Sequence, residues 1–232
     1  KYSNMSRSKN GLEGAGEWHE LKKMLPNFKD KRVLDLGCGF GWHCRYAVEN
    51  GAKSVIGIDI SQKMLSEAKN KTKCGNIEYI CMPIEDIDFP EESFEVVISS
   101  LALHYIKSFE DVLDRVYKCL STGGDFVFSV EHPIFTAQGP QDWYYDDKGN
   151  ILHWPVDHYF TEGVRNAKFL GEEVIKYHRT LTTYLNSLIR KGFEITGVVE
   201  PKPEKNMLNT VSGMLDELRR PMMLLVSARK RL

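Results

Sequence analysis

The first 130 residues alternate between short apolar runs and segments in which apolar residues recur every three or four positions. The apolar runs predict five strands, at residues 33–36, 54–59, 77–81, 95–99 and 126–130. The periodic segments predict helices at residues 42–50, from Ser61 onward and at 108–120. Strands that alternate with helices form a parallel sheet with helices on both faces, because crossover connections are right-handed. The pattern therefore predicts an α/β fold.

The turn after the first predicted strand contains Gly37, Gly39 and Gly41. Glycine permits positive φ and lets a ligand approach the backbone, so a glycine turn above a strand end is typical of a nucleotide site. A dinucleotide site has G-x-G-x-x-G spacing, but Trp42 occupies the third-glycine position here, which disfavours a dehydrogenase. Asp59 ends the second strand, where it can accept hydrogen bonds from ribose hydroxyls. These features indicate an adenosyl ligand.

Three segments carry a resemblance to a known family. Residues 33–41 (V-L-D-L-G-C-G-F-G), Asp59 and residues 89–97 (F-P-E-E-S-F-E-V-V) resemble motifs of the class I S-adenosylmethionine-dependent methyltransferases, in their small-molecule, methyltransferase type 11-like branch. The resemblance implies a Rossmann-like, seven-stranded, mostly parallel sheet with helices on both faces and an antiparallel last strand. The long segment after the fifth strand is expected to form an inserted cap. It also implies S-adenosyl-L-methionine as the cofactor and S-adenosyl-L-homocysteine as the product.

The resemblance also implies a cofactor site. Its expected residues are Tyr2, Arg7, Asp35, Gly37, Cys38, Gly39, Gly41, Trp42, Asp59, Ile60, Met64, Met82, Pro83, Ile84, Ser99, Ser100 and Leu101. Arg7 is a candidate partner for the methionine carboxylate, and Asp35 for the methionine amino group. Most relatives carry an acid after the third strand for the adenine amino group, but Pro83 stands at that position here. Adenine is therefore expected on the backbone of Ile84, with Glu85 as a displaced candidate.

Residues 131–178 are rich in aromatic residues and histidine and lack a helical period. A long segment of this kind is more often a lid than a passive connection, so we predict a cap over the methyl acceptor, with short strands of its own. The candidate acceptor-binding residues are Trp18, Tyr105, Glu131, His132, Trp154, His158, Tyr159, Glu162, Arg165, His178 and Arg179. Either Arg165 or Arg179 is suited to bind a carboxylate. The alternative for each candidate is a structural role, such as core packing for Trp18.

Methyl transfer from a sulfonium is an in-line displacement on an activated donor, so positioning supplies most of the catalysis. A base is needed only if the acceptor must lose a proton. His104 is the candidate catalytic base, because it follows the fourth strand near the expected methyl position and its ordinary pKa suits proton transfer near neutrality. The alternative is a hydrogen-bonded histidine that holds the loop.

The composition predicts a single globular domain of 232 residues, with 42% hydrophobic and 27% charged residues. Its expected parts are a cofactor-covering segment (1–31), a cofactor-binding half (32–130), the cap (131–178) and a last helix with C-terminal strands (179–232). The five cysteines contain no C-x-x-C pair, so we expect neither a disulfide framework nor a metal site. A reducing, cytoplasmic location fits this usage.

The favoured function is transfer of a methyl group to oxygen, nitrogen or carbon of a small organic molecule. A net charge of −1 does not favour nucleic acid as a partner, and no apolar run is long enough to predict a membrane partner. Two alternatives stay open: a tRNA or protein methyltransferase, and a non-catalytic protein that binds an adenosyl ligand. The pattern identifies neither the acceptor nor the oligomeric state.

Overall fold

The computed structural model describes residues 11–169 and 171–231. The centre of the fold is a seven-stranded sheet. The strands of the described residues are β1 (Arg32–Leu36), β2 (Ser54–Asp59), β3 (Ile77–Cys81), β4 (Phe94–Ser100), β5 (Leu120–Glu131), β6 (Tyr144–Tyr145), β7 (Ile151–His153), β8 (Gly163–Phe169), β9 (Glu172–His178), β10 (Phe193–Val199) and β11 (Met223–Lys230). The sheet order is β10-β11-β5-β4-β1-β2-β3. Strand β11 is antiparallel to both of its neighbours, whereas β1 to β5 pair in parallel. The expected Rossmann-like fold is confirmed, including its reversed last strand.

The helices of the described residues are α1 (Trp18–Met24), α2 (Trp42–Glu49), α3 (Gln62–Lys71), α4 (Phe109–Cys119), α5 (Pro133–Thr136), α6 (Leu181–Lys191) and α7 (Lys205–Thr210). Local signals explain several boundaries. The Ser61 hydroxyl caps α3 by accepting from the Met64 amide, and Thr180 caps α6 in the same way. Gly192 ends α6 in the left-handed region, at φ 101°. None of the helices in the described ranges combines the length and hydropathy needed to cross a bilayer.

Apolar cores lie on both faces of the sheet. On one face, Phe109 and Val116 of α4 pack with Phe126 and Phe128 of β5. The other face forms its own cluster, in which residues of α2 and α3 pack on β1 and β2: Val33, Ala47, Val55 and Leu65. Burial on both faces accounts for the continuous apolar runs of the central strands.

The segment after β5 forms two antiparallel hairpins, β6–β7 and β8–β9. His178 joins parts of this segment, since its Nδ1 pairs with the Thr136 hydroxyl and its Nε2 with the Tyr159 carbonyl, both at 2.8 Å. Arg165 donates to the carbonyl oxygens of Ala137 at 2.8 Å and Thr161 at 2.6 Å. These bonds link parts of the segment through backbone carbonyls and the Thr136 hydroxyl. We call residues 131–178 the cap.

Candidate active site

A cavity of about 530 Å³ lies at the carboxyl ends of the parallel strands. The turn after β1 forms its floor, and residues that follow β2, β3 and β4 form its sides. Residues 14–17, Phe169 of the cap and the pair Met222 and Met223 complete its wall. This is the edge of an open α/β sheet where ligands bind.

The glycine turn has the geometry of a cradle. Gly37, Gly39 and Gly41 all have positive φ, at 75°, 53° and 69°. A Cβ on Gly37 would lie 2.5 Å from the Cβ of Ala102, whereas a Cβ on Gly39 would meet nothing within 4 Å. The amides of Gly37 and Cys38 donate to the Ile58 carbonyl at 2.9 and 2.8 Å, which ties the turn to β2. The open space over Gly39 therefore lets a ligand approach the main chain closely.

Asp59 lies in the cavity wall with a fixed orientation. Its Oδ2 accepts from the Gly39 amide at 2.9 Å, and its Oδ1 accepts from the Ser61 amide at 2.8 Å. A carboxylate has about four acceptor positions, so further ones stay available to a ligand's hydroxyls. The two backbone bonds hold the carboxylate in place before a ligand arrives, and its remaining acceptor positions suit the hydroxyl groups of a ribose.

The wall beyond Asp59 is mostly apolar. It contains Ile60, Met64, Pro83 and Ile84, together with the carboxylate of Glu85. Met82 does not line the cavity. Its amide donates to the Asp59 carbonyl at the end of β2, and its side chain packs against the apolar core. The residues expected around an adenine are thus brought together, apart from Met82.

Three other expected cofactor residues, Asp35, Gly41 and Ser99, do not line the cavity. Asp35 is buried and accepts from the Cys44 thiol at 3.2 Å, so its side chain is directed toward α2. Ser99 is fully buried and donates to the Leu36 carbonyl at 2.9 Å. Side chains alternate along β4, which places Ser100 in the cavity wall and Ser99 away from it. Tyr2 and Arg7 lie outside the described residues.

The residues after Ser100 shape the other end of the cavity. Leu101 has a positive φ of 53°, and its amide donates to the Ser129 carbonyl at 2.9 Å. His104, Tyr105 and Ile106 follow in the wall. Non-glycine residues with positive φ are uncommon and persist where the surrounding structure holds them. Here the bond to β5 supplies that support.

His104 is buried at this end, with 1% of its surface exposed. Its Nδ1 accepts from the Glu131 amide at 3.4 Å, and its Nε2 lies 3.9 Å from the Glu131 Oε1. Burial lowers the pKa of His104 to about 4, so the ring is neutral at pH 7. A neutral ring that accepts at Nδ1 carries its proton on Nε2. The geometry therefore favours a hydrogen-bond donor over a general base.

A buried ion pair stands beside His104. The Lys176 ammonium donates to Glu131 Oε1 at 2.6 Å and to Gln141 Oε1 at 2.8 Å, and Gln141 Nε2 donates to Glu131 Oε2 at 2.8 Å. Burial raises the pKa of the Glu131 carboxyl, but His104, the Lys176 ammonium and the hydrogen bonds outweigh it and leave the pKa below its usual value. Glu131, which lines the cavity, is therefore ionised at neutral pH.

Among the candidates for acceptor binding, Tyr105 and Glu131 line the cavity. Trp18 is buried against the Tyr46 ring, 4.8 Å between centroids, and its Nε1 donates to Glu13. His132 is buried and lies 2.8 Å from Glu200, whereas Trp154 stacks on Phe135.

The remaining candidates are structural or exposed. The Tyr159 hydroxyl accepts from the Leu181 amide, Glu162 accepts from Thr180, and Arg179 donates to the carbonyls of Ile106 and Lys107. Arg165 and His178 join parts of the cap, as described above. His158 is exposed and lies beside Asp157. Aromatic and histidine content thus identified the cap as a distinct segment. Most of the candidate polar side chains in it form hydrogen bonds or ion pairs within the protein.

The cavity is also lined by residues that the sequence analysis did not predict there, among them Glu17, Phe169, Met222 and Met223. For Glu17 a signal was present, since the run E-G-A-G-E at residues 13–17 combines small residues with acids. The methionines precede an ordinary strand and carry no local signal. Among the described residues, no group of three or more His, Cys, Asp or Glu is placed to hold a metal ion.

Comparisons with known proteins agree with this geometry. Residues 34–128 match the sequence family described as a methyltransferase domain. A proposed S-adenosylmethionine-dependent methyltransferase of Listeria monocytogenes is 58% identical, with a TM-score of 0.87 over 94% of this chain and 99% of that one. An S-adenosylmethionine-dependent methyltransferase of Mesorhizobium loti is 45% identical, with a TM-score of 0.88 over 94% and 100%.

A protein of Haemophilus influenzae is 38% identical over 221 residues, which are 90% of this chain and 85% of that protein. The strand order, the glycine turn and Asp59 match what the same fold needs in order to hold S-adenosylmethionine. The chain belongs to the class I S-adenosylmethionine-dependent methyltransferase family.

Proposed function

We propose that the protein transfers the methyl group of S-adenosylmethionine to oxygen, nitrogen or carbon of a small organic molecule. The observation that carries this proposal is the apolar and aromatic lining of the cavity beyond Ser100. Phe169 of the cap and Met222 and Met223 line that end, so the acceptor enters a pocket with apolar and aromatic walls. The net charge of −1 supplies no general attraction for a polyanion.

The cofactor is assigned to the floor and the Asp59 side of the cavity. In this arrangement Asp59 accepts hydrogen bonds from the ribose hydroxyls. The protein main chain around Gly39 contacts the ligand, and Ile84 with its neighbours contacts the adenine. The bound cofactor supplies a methyl group that is activated by positive charge. The protein's own contribution is orientation and exclusion of water, effects that model reactions place at about 7–11 kcal/mol.

The acceptor is assigned to the end that contains His104, Tyr105 and Glu131. Glu131 is ionised and fixed by Lys176 and Gln141, so it can accept a hydrogen bond from an O–H or N–H of the acceptor. His104 positions Glu131 by accepting from its amide. In this proposal His104 is a positioning residue, and Glu131 aligns the atom that receives the methyl group.

A tRNA or protein acceptor is the alternative. Relatives that are named for their acceptor differ in it. A malonyl-[acyl-carrier protein] O-methyltransferase of Enterobacter lignolyticus is 35% identical over 110 residues, and a tRNA U34 carboxymethyltransferase of Hahella chejuensis is 29% identical over 161 residues. The chain spans less than half the length of either one, at 43% and 45%. The apolar and aromatic lining of the acceptor end favours a small molecule. The five cysteines are free, which supports our assignment to the reducing cytoplasm.

Calorimetric titration with S-adenosylhomocysteine, and separately with NAD, tests the cofactor assignment. We expect S-adenosylhomocysteine alone to bind. Asp59→Ala should weaken it by about tenfold or more, because each charge-assisted hydrogen bond contributes about 1.5–3 kcal/mol. Exposed Asp86→Ala is the matched control and should bind as the wild type does. Unchanged affinity in folded Asp59→Ala would contradict the ribose role.

Incubation of the protein with labelled S-adenosylmethionine and a fractionated bacterial extract tests the acceptor class. Transfer of label to the small-molecule fraction is the expected result. Label in the tRNA or protein fraction would favour those alternatives, and cofactor binding without any transfer would favour the non-catalytic one.

A further inference from the structure

The ionisable side chains that line the cavity are mostly acids. Four of them are present: Glu17, Asp59, Glu85 and Glu131. No lysine or arginine of the described residues lines the cavity. The two arginines considered for an acceptor's carboxylate, Arg165 and Arg179, both donate to backbone carbonyl oxygens instead. Bringing an anionic acceptor into the cavity is therefore unfavourable, because desolvation of its charge is not offset by a cationic side chain from the described residues.

The side-chain charges at the acceptor end balance one another. Glu131 is ionised, and its Oε1 accepts from the Lys176 ammonium at 2.6 Å. Lys176 has 1% of its surface exposed and does not line the cavity. His104 is neutral because burial lowers its pKa to about 4. The charged group that an acceptor meets here is thus a carboxylate, which accepts a hydrogen bond from a neutral O–H or N–H and repels an anion.

Two aromatic rings lie beside the same carboxylate. The Lys176 ammonium is 5.8 Å from the centre of the Tyr105 ring and 5.7 Å from that of the Phe169 ring. Both rings line the cavity, and cation–π attraction to the ammonium that pairs with Glu131 holds them near it. An aromatic ligand can pack on these rings while its O–H or N–H reaches Glu131.

We propose that the methyl acceptor is an uncharged aromatic molecule that donates an O–H or N–H hydrogen bond to Glu131. Its ring packs against Tyr105 and Phe169, and the thioethers of Met222 and Met223 make favourable contacts with it. Glu131 then determines specificity as well as position, because it favours a neutral donor over a carboxylate of the same shape. This inference rests on the proposed function, with the acceptor at this end of the cavity, and narrows the acceptor class.

Benzamide and benzoate test the recognition of charge, because they have nearly the same shape. Ligand-observed NMR titration measures both affinities while S-adenosylhomocysteine saturates the cofactor site. The wild type should bind benzamide about tenfold more tightly than benzoate, and more tightly than the non-aromatic cyclohexanecarboxamide. Equal affinity for benzamide and benzoate would overturn the selection against anions. Equal affinity for the two amides, or no binding of benzamide, would overturn the aromatic class.

Glu131→Gln removes the carboxylate and should reduce the preference for benzamide over benzoate to less than about twofold. Because this variant leaves the Lys176 ammonium unpaired, the double variant with Lys176→Met is a second test that contains no unpaired charge, and it should lose the preference as well. Exposed Glu173→Gln on β9 is the matched control and should keep the wild-type preference. An unchanged preference in folded Glu131→Gln would contradict the role of Glu131.

The natural acceptor provides a test that needs no analogue. Ion exchange divides the small-molecule fraction of the bacterial extract into neutral, cationic and anionic pools, and each pool is incubated with the protein and labelled S-adenosylmethionine. Methyl transfer to a compound of the neutral pool is the expected result. Transfer in a charged pool alone would overturn this inference and leave the proposed function intact. Cofactor binding without transfer in any pool would contradict the proposed function itself.

Discussion

At the scale of single residues, the site depends on groups that are held before a ligand arrives. Asp59 is fixed by the amides of Gly39 and Ser61, and Glu131 by Lys176 and Gln141. Preorganised acceptors of this kind do not have to be ordered when the ligand binds, so more of the interaction energy contributes to affinity. His104 belongs to the same arrangement, because the Glu131 amide occupies its Nδ1.

The buried state of His104 predicts a pH dependence of stability. Its folded-state pKa is about 4, below the ordinary 6.5, so between these values the unfolded chain binds more protons than the folded one. The free energy of unfolding should therefore fall as the pH decreases from 6.5 toward 4, by about 3 kcal/mol in total from this residue. Above pH 6.5 the contribution is complete.

Urea unfolding of the wild type and of His104→Asn between pH 4.5 and 7.5 measures this. The variant should show a shallower decrease of unfolding free energy as the pH falls. Burial also lowers the pKa of His132 and of His178, so the variant keeps part of the dependence. Parallel curves for the two proteins would contradict the assignment to His104.

At the scale of elements, the turn between β1 and α2 has glycine at three alternate positions, and its geometry accounts for them. All three residues have positive φ, but their surroundings differ. A Cβ on Gly41 would overlap the hydroxyl group of Tyr79, whose ring packs under the turn, whereas Gly39 faces open space. The glycines therefore serve two purposes, close packing at Gly41 and access at Gly39.

Alanine substitution separates the two purposes. Both Gly39→Ala and Gly41→Ala should cost about 1–2 kcal/mol for the left-handed backbone. Gly41→Ala should lose more stability than this because of the overlap with Tyr79, and Gly39→Ala should instead lose affinity for S-adenosylhomocysteine. Urea unfolding and calorimetry of the two variants measure the difference. Equal losses of stability would show that the contact with Tyr79 relaxes without cost.

At the scale of the whole molecule, contacts between residues far apart in sequence hold the cap in place. Lys176 of β9 reaches Glu131 at the end of β5, and Arg220, shortly before β11, lies over the Trp154 ring at 4.1 Å. Arg220 also pairs with Glu217 at 2.7 Å. The acceptor end of the cavity therefore depends on packing among three distant segments of the chain.

Lys176→Met tests the sheet contact. It should reduce the free energy of unfolding by about 3–5 kcal/mol, because it leaves the Glu131 charge buried without its ammonium partner. The double variant with Glu131→Gln should recover much of this loss, since no unpaired charge remains. Exposed Lys168→Met on β8 is the control and should change stability little. A double variant no more stable than Lys176→Met would argue against the ion pair as the cause.

Local sequence patterns were enough to predict the α/β fold, the glycine cradle and the position of Asp59 at the end of a strand. These features depend on local periodicity and on residues within one strand, turn and helix, where short-range sterics decide the conformation. Fold and cofactor could therefore be predicted, and the comparisons agree with both. The predicted ends of the strands were less accurate. The fifth strand, expected at 126–130, extends over Leu120–Glu131.

Which side chains enter the cavity depends instead on tertiary packing. The alternation of β4 separates Ser100 from Ser99, and the Cys44 thiol holds the Asp35 side chain outside the cavity. Arg165 and His178 of the cap bond to backbone carbonyls within the cap. Glu17 and Lys176 acquire their surroundings from segments far away in sequence: Ser100 is 83 residues from Glu17, and Glu131 is 45 residues from Lys176. Such pairings follow from how distant segments pack, which no local pattern encodes.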